Sequence, residues 1–389
     1  MRILLFTGKG GVGKSTVAAG TAALAAASGL RTLVLSTDAA HTLADAFGVE
    51  VGAEPTPVAD DLFVQQVDAQ LRFEQSWAEI QGYLLSVLDV AGVDRVAAEE
   101  LAVLPGAEEV LALLELRVHA LSGEWDVIVV DCAPTAETLR LLALPEALGW
   151  YMERVFPVER RIVKALRPVL SRAAGVPMPH DTVFDAMQRL HDELDEVHAL
   201  LTGPEASVRV VLTPESVVLA EARRSLTSLS LFGYRVDGVV VNRIFPSAEA
   251  DEWRAGWVRS QQTVLAEVVE SFAGIPLWRS VYRGGEPVGV DALRSLAGEV
   301  YAGTDPLAVP AGRWPFTVSR TPAGPTLGLS LPHVTSADVD LARHGDELVV
   351  TVGSYRRLLT LPPGLARHRV AGARVQDGVL QVRFGEETA

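Results

Sequence analysis

The chain has 389 residues, 49% hydrophobic and 21% charged, with a net charge of −15. That length allows two domains, that apolar content excludes wholesale disorder, and that acidity excludes broad binding to nucleic acid, whose phosphates such a surface repels. A single cysteine, Cys132, excludes an internal disulfide and any zinc or metalloid site built from several thiols of one chain.

The chain opens on an apolar run, Ile3-Leu4-Leu5-Phe6, which predicts a buried strand. Gly8-Lys9-Gly10-Gly11-Val12-Gly13-Lys14-Ser15 follows and fits G-x-x-x-x-G-K-[ST], and an alanine-rich helix comes next. Strand, glycine loop and helix form the setting in which this pattern cradles phosphates. The glycines let successive N–H groups point inward, and the helix adds its positive end. Lys14 is expected to reach the β- and γ-phosphates and Ser15 to hold Mg²⁺, with residues from Gly8 to Thr16 contacting nucleotide. The chain has 31 Arg but three Lys, and two of the three, Lys9 and Lys14, lie in this loop. A compact ammonium that fits among phosphate oxygens cannot be exchanged for a planar guanidinium without moving the loop.

Further runs rich in Val, Ile and Leu at 32–35, 126–130, 209–212 and 236–241 alternate with helical stretches. This rhythm predicts a doubly wound, mostly parallel α/β sheet with ligand at the carboxyl ends of its strands. Segments 68–121 and 145–201 are too long for ordinary crossovers and predict a helical subdomain. Within the second, 151–170 mixes Tyr151, Met152, Phe156 and Leu166 with many Arg. It reads either as a helix with a core-facing stripe or as an apolar lid facing a client. Proline and glycine then punctuate the chain, and 304–313 reads as a linker after a first domain of 1–303. Short alternating runs at 326–331, 347–352, 357–361 and 379–384 predict an all-β sandwich over 314–389. No run of about 18 apolar residues spans a bilayer, and no leader is expected ahead of the first strand, so a soluble, cytoplasmic protein is anticipated.

Four more segments sharpen the first domain. They are Ser36-Thr37-Asp38-Ala39-Ala40-His41 with Leu43 and Asp45; Asp131-Cys132-Ala133-Pro134-Thr135-Ala136-Glu137-Thr138-Leu139-Arg140; Asn242-Arg243; and Glu286-Pro287-Val288-Gly289 with Ala292-Leu293. With the loop Gly-Lys-Gly-Gly-x-Gly-Lys-Ser-Thr, they resemble the ArsA-like ATPases, the arsenite-pump and tail-anchored-protein-targeting family, over about 1–303. The resemblance implies ATP hydrolysis with Mg²⁺ in a homodimer with paired nucleotide sites. In it Lys9 reaches the nucleotide of the other subunit, much as an arginine finger does, and Asp38 orients the attacking water. Asp131 and Asp38 join Ser15 at the metal, and Asn242 and Arg243 read the adenine. Ala39 stands where the family has proline, and Ala136-Glu137 where it has Gly-His. These exchanges bear on how the switch loops move. The family's targeting members join their dimer through a C-x-x-C zinc pair; this chain has none, so no zinc is expected.

Cys132 reads as a small buried side chain in a threonine slot, or as a thiol bridging two copies; His41 reads as a phosphate contact or as a structural histidine. Leu329-Ser330-Leu331-Pro332, Arg356-Arg357-Leu358-Leu359-Thr360-Leu361-Pro362 and Gly378-Val379-Leu380-Gln381-Val382-Arg383-Phe384 resemble, in order, the strand phrases of an α-crystallin (small heat-shock protein) domain. Together the resemblances imply a Mg-ATP-dependent switch that binds and releases a hydrophobic polypeptide such as a transmembrane segment, with a membrane partner as a further candidate and no nucleic-acid partner. The alternative is an anion- or arsenite-transport subunit beside a membrane pump. A partitioning switch is disfavoured by the acidic charge and the β-structured end.

Overall fold

Strands that are apolar on both faces are stable only under helices on both sides, and this requirement organises the first domain. The computed structural model describes residues 1–37, 42–67, 85, 107–132, 181–247, 251–309, 314–321 and 324–387. The expectations for 38–41, for 133–142 and for the lid stretch 151–170 lie outside the described residues.

The strands are β1 (Arg2–Thr7), β2 (Thr32–Ser36), β3 (Thr56–Ala59), β4 (Leu62–Gln66), β5 (Val127–Asp131), β6 (Ala206–Leu212), β7 (Val236–Ile244) and β8 (Leu277–Val281). They form one sheet in the order β3-β4-β2-β5-β1-β6-β7-β8. Every pairing is parallel except the β3–β4 edge. The five strands expected from the sequence form the centre. Of the three not anticipated, β3 and β8 are the half-exposed edges, and β4, paired between β3 and β2, ends on Gln65-Gln66. An edge strand needs no continuous apolar run, so its sequence signal is weak.

The helices are α1 (Lys14–Ala27), α2 (Thr42–Phe47), α3 (Ala107–Ser122), α4 (Asp181–Thr202), α5 (Ser216–Leu231), α6 (Glu252–Ser271) and α7 (Val290–Val300). The parts of the two long helical segments that are described, α3 and α4, are joined by Arg117 and Glu196 at 2.6 Å. Alanines along α1 let it lie close to the sheet and to α7. A Cβ on Gly20 would come within 2.7 Å of the Leu293 carbonyl oxygen, so the two helices meet there backbone to backbone.

One strand carries a charge the sequence pattern concealed. Arg209, in the middle of β6, is fully buried. It donates to both carboxylate oxygens of Asp237 at 3.2 Å, to the Tyr301 hydroxyl at 3.1 Å and to the Pro306 carbonyl. Arg2 shares the same carboxylate at 2.9 Å, and burial, partly offset by Asp237, lowers its pKa to about 10. One carboxylate thus holds β1, β6 and β7 to the segment that leaves the domain.

The C-terminal region is antiparallel. It has β9 (Phe316–Thr321), β10 (Gly324–Ser330), β11 (Val339–His344), β12 (Glu347–Val352), β13 (Tyr355–Thr360), β14 (His368–Gln376) and β15 (Val379–Glu387), with a short helix α8 (Pro363–Ala366). A sheet β14-β15-β10-β9 and a sheet β11-β12-β13 enclose Leu329, Leu348, Val350, Leu380, Val382 and Phe384. Strands β9, β11 and β14 escaped the sequence reading because their residues are largely half-exposed or exposed.

This region docks on the far end of α5. Leu231 is buried in the β core, Arg357 donates to its carbonyl and lies 4.3 Å from the Phe316 ring, and Thr227 donates to the Pro332 carbonyl at 2.6 Å. A cation at a helix C-terminus complements the helix dipole. Because α5 leaves the carboxyl end of β6 and returns to the start of β7, the β region sits at the end of the sheet opposite the glycine loop.

Two outcomes are expected. Asp237→Asn strands two buried guanidiniums and should cost about 3–5 kcal/mol, read as a fall in the urea midpoint with an unchanged slope. His198 of α4, half-buried near this junction, has a pKa lowered from 6.5 to about 4 by desolvation and then by Arg357. The unfolded chain therefore takes up that proton first, and stability falls as the pH drops from 6.5 towards 4. In a pH series of thermal melts His198→Phe should flatten that decline.

Candidate active site

The glycine loop stands at the carboxyl end of β1, at the centre of the sheet. Its glycines are required by space as well as by conformation. A Cβ on Gly8 would lie 2.1 Å from the Val211 carbonyl oxygen, at the end of β6. A Cβ on Gly13 would lie 2.4 Å from the Asn242 amide nitrogen, and Gly13 has φ +90°. The loop is thus pressed against two strand ends and curls between them. Gly13 is also the N-cap of α1 and provides no side-chain cap, so the first N–H groups of this 14-residue helix remain available to an anion.

The motif side chains converge on that cradle. Lys14 is 7% exposed. Asp131 ends β5 and is fully buried, level with Phe6 of β1 and Ser36 of β2. Its carbonyl accepts the Thr37 N–H at 3.0 Å, which ties it to the start of the 36–41 segment. The Ser15 hydroxyl meets the Thr42 hydroxyl at 2.9 Å. Thr42 was not singled out from the sequence; the available signal was a hydroxyl residue opening the short helix that follows the Asp38–His41 stretch. Asp38 and His41 lie outside the described residues.

Cys132 comes next after Asp131 and is 3% exposed. Burial first, and then the neighbouring Asp131 carboxylate, push its thiol up to about 12, against the opposing influence of Lys14. It is a small core side chain beside the phosphate cradle.

These residues fit a magnesium-bound nucleotide. The cradle is one that Cβ atoms would fill, the helix end is uncapped, the ammonium is buried, and a hydroxyl and a carboxylate provide hard oxygen ligands. Ser15 and Asp131 would hold the ion. Among the described residues no three His, Cys, Asp or Glu side chains gather as a metal site. An ion carried in by phosphate oxygens does not need such a cluster.

Asn242 and Arg243 lie near the carboxyl end of β7, beside the loop. The Asn242 amide donates to the Val12 carbonyl at 2.9 Å, and its oxygen accepts the Arg243 N–H at 2.9 Å. The Arg243 guanidinium donates to the Gly11 carbonyl at 2.8 Å. Arg243 also separates two clefts. One, of about 420 Å³, is bounded by Thr16, Asn242, Arg243, Tyr282, Pro287 and Leu296, with Glu286 also in its lining. The other, of about 360 Å³, is bounded by Lys9, Gly11, Val217, Phe245, Trp253 and Trp257. The first adjoins the start of α1 at Thr16.

Lys9 behaves differently from Lys14. Its side chain is 40% exposed, and its ammonium lies 3.8 Å from Glu221 of α5 on the rim of the second cleft. Phe245 stacks on Tyr282 at 5.2 Å and Trp253 packs edge-on to Trp257, yet Trp253 is 66% exposed. An aromatic face therefore borders the phosphate loop on the side where Lys9 projects.

Comparison with known proteins agrees with this geometry. A family model described as anion-transporting ATPase matches residues 1–302, and one described as an HSP20-like domain found in ArsA matches residues 323–384. A putative arsenical pump-driving ATPase of Chlorobaculum tepidum is 36% identical over 391 residues, covering 100% of this chain and 96% of its own. An uncharacterized protein of Streptomyces coelicolor is 39% identical over 396 residues, covering 100% and 98%. An ATPase ASNA1 homolog of Trypanosoma cruzi is 28% identical over 317 residues, covering 75% and 88%. The chain belongs to the ArsA family of anion-transporting ATPases and carries the HSP20-like domain at its C-terminal end. Among the described residues no helix is long and apolar enough to cross a membrane.

The buried position of Cys132 has a direct consequence. At pH 8 the native protein should give no reaction with a thiol-selective chromogenic reagent over an hour, and one equivalent after unfolding in urea. Labelling in the native state would place the thiol elsewhere.

Proposed function

We propose that this ArsA-family ATPase is a homodimeric, Mg-ATP-dependent switch that clasps and releases a hydrophobic polypeptide. The observation that carries the reading is the contrast between the two loop lysines. Lys14 is buried in its own cradle, whereas Lys9 projects onto the rim of an exposed aromatic face. A cation so placed serves a phosphate that arrives from outside its own loop, and the nearest such phosphate is one held by a second copy. The surrounding Trp253, Trp257 and Tyr282, each exposed, are the kind of surface that a protein partner covers.

In this reading the loop N–H groups, Lys14 and the α1 N-terminus hold the triphosphate. The magnesium ion neutralises charge on its β- and γ-oxygens. Asp38 orients the attacking water, and Lys9 of the opposing copy stabilises charge on the transferring phosphoryl group. Asn242 and Arg243, with the 282–289 segment, contact the adenine. Closure of the two copies over ATP would bring together the segments that hold the client. The family resemblance favours a membrane-protein segment as that client.

A second reading is favoured by the names of several relatives, which are called arsenical pump-driving ATPases. In it the same ATPase cycle powers a membrane pump. A single thiol, buried at Cys132, gives metalloid little to bind in this chain.

Lys14→Ala should abolish hydrolysis. Asp38→Asn should keep nucleotide affinity and lose turnover, and with ATP it should sediment as a dimer and retain co-purifying polypeptides. Lys9→Ala should lower kcat by about 10³-fold while nucleotide affinity changes little. Full turnover by a monomer of wild-type protein would exclude the paired-site reading. Stimulation of hydrolysis by arsenite, without any polypeptide client, would favour the pump.

A further inference from the structure

Gln261 lies in α6, ten residues beyond its N-cap at Asp251, and is 5% exposed. Its amide does not serve its own helix. The oxygen accepts the Phe245 N–H at 2.8 Å, and the nitrogen donates to the Arg243 carbonyl at 3.1 Å. The two bonds bracket Ile244 at the end of β7.

They fall where the sheet is irregular. β7 and β8 pair Val241 with Arg279 and then Ile244 with Val281, so β7 carries one extra residue. Such a bulge re-aims side chains and leaves ladder groups without strand partners. Here Arg243 takes φ +57°, a left-handed conformation costly for a residue with a Cβ. The Asn242 oxygen closes the inside of the bulge on the Arg243 N–H, and Gln261 satisfies the outside. Gln261 thus pairs the half-buried Arg243 carbonyl and Phe245 N–H at the bulge.

The bulge aims two consecutive side chains, Asn242 and Arg243, at two consecutive loop carbonyls, Val12 and Gly11. In a trans peptide the C=O of one residue and the N–H of the next point in opposite directions. Drawing the Gly11 and Val12 carbonyls outward turns the N–H groups of Val12 and Gly13 inward, towards the phosphates. We propose that Gln261 is a positioning residue for nucleotide binding: by holding Arg243 in its left-handed conformation it braces the phosphate loop from outside in its anion-binding form. The inference rests on the loop's being the nucleotide site. It assigns Gln261 no contact with ATP.

The test is a double-mutant cycle on the full chain, with ATP affinity measured by calorimetry in Mg²⁺ and with KM and kcat measured at steady state. Gln261→Leu keeps the volume and removes both bonds. It should weaken ATP binding about tenfold and raise KM in step, while kcat falls less than about threefold. Gly at position 243 reaches a positive φ without strain. In an Arg243→Gly background, itself weakened, Gln261→Leu should therefore add less than about twofold. If Gln261→Leu does not fold, Gln261→Glu carries the test. It keeps the acceptor for Phe245 and loses the donor to Arg243, and should weaken binding by about threefold. Unchanged affinity in the foldable variant, a loss confined to kcat, or an undiminished effect in the Arg243→Gly background would overturn the proposal. Normal ATP affinity in Lys14→Ala would instead overturn the nucleotide reading of the loop, and the brace with it.

Discussion

A loop that binds polyphosphate through its backbone must turn several N–H groups to one side, and each peptide then presents its carbonyl to the other. Those carbonyls need partners as firmly as the phosphates need donors. Much of the surrounding structure answers to that constraint. The end of β6 presses against Gly8, the end of β7 offers Asn242 and Arg243 to the outward carbonyls, and α6 reaches over with Gln261 to secure them. The cradle is therefore a property of three strand ends and a helix as well as of eight residues in a row.

The same strand ends connect the cradle to the rest of the molecule. α5 starts beside the second cleft, carries Glu221 to Lys9, and ends in the core of the HSP20-like domain at Leu231. At the opposite end of the sheet, Asp237 is shared by Arg2 and Arg209, and Arg209 also reaches Pro306. The HSP20-like domain is thereby held by α5 and the segment leading to it is pinned to the sheet, remote from the phosphate loop. A domain placed so lies away from the aromatic face around Lys9, where Trp253, Trp257 and Tyr282 are exposed.

Legibility in the sequence followed the range of the physics. Central strands were readable because burial on both faces leaves a continuous apolar run, as in Ile3-Leu4-Leu5-Phe6. Edge strands such as β3, β8, β9 and β14 were not, because one exposed side breaks the run. Lys14, Ser15 and Asp131 were readable because phosphate chemistry needs those groups at fixed spacing from a strand end. Thr42 was not, since a hydroxyl at a helix start has many uses and only its 2.9 Å approach to Ser15 distinguishes it.

By itself, the order of residues determined the loop, its helix, the doubly wound sheet and the β-rich end, because local spacing and burial pattern are carried along the chain. It also determined the kinship with the ArsA ATPases. Only the folded arrangement decided that Arg209 is a core residue, that Asn242 and Arg243 grip the loop, and that Gln261 holds the Arg243 backbone. These are hydrogen bonds and ion pairs between residues distant in sequence. Their energy depends on ångström-scale distances that no local pattern encodes.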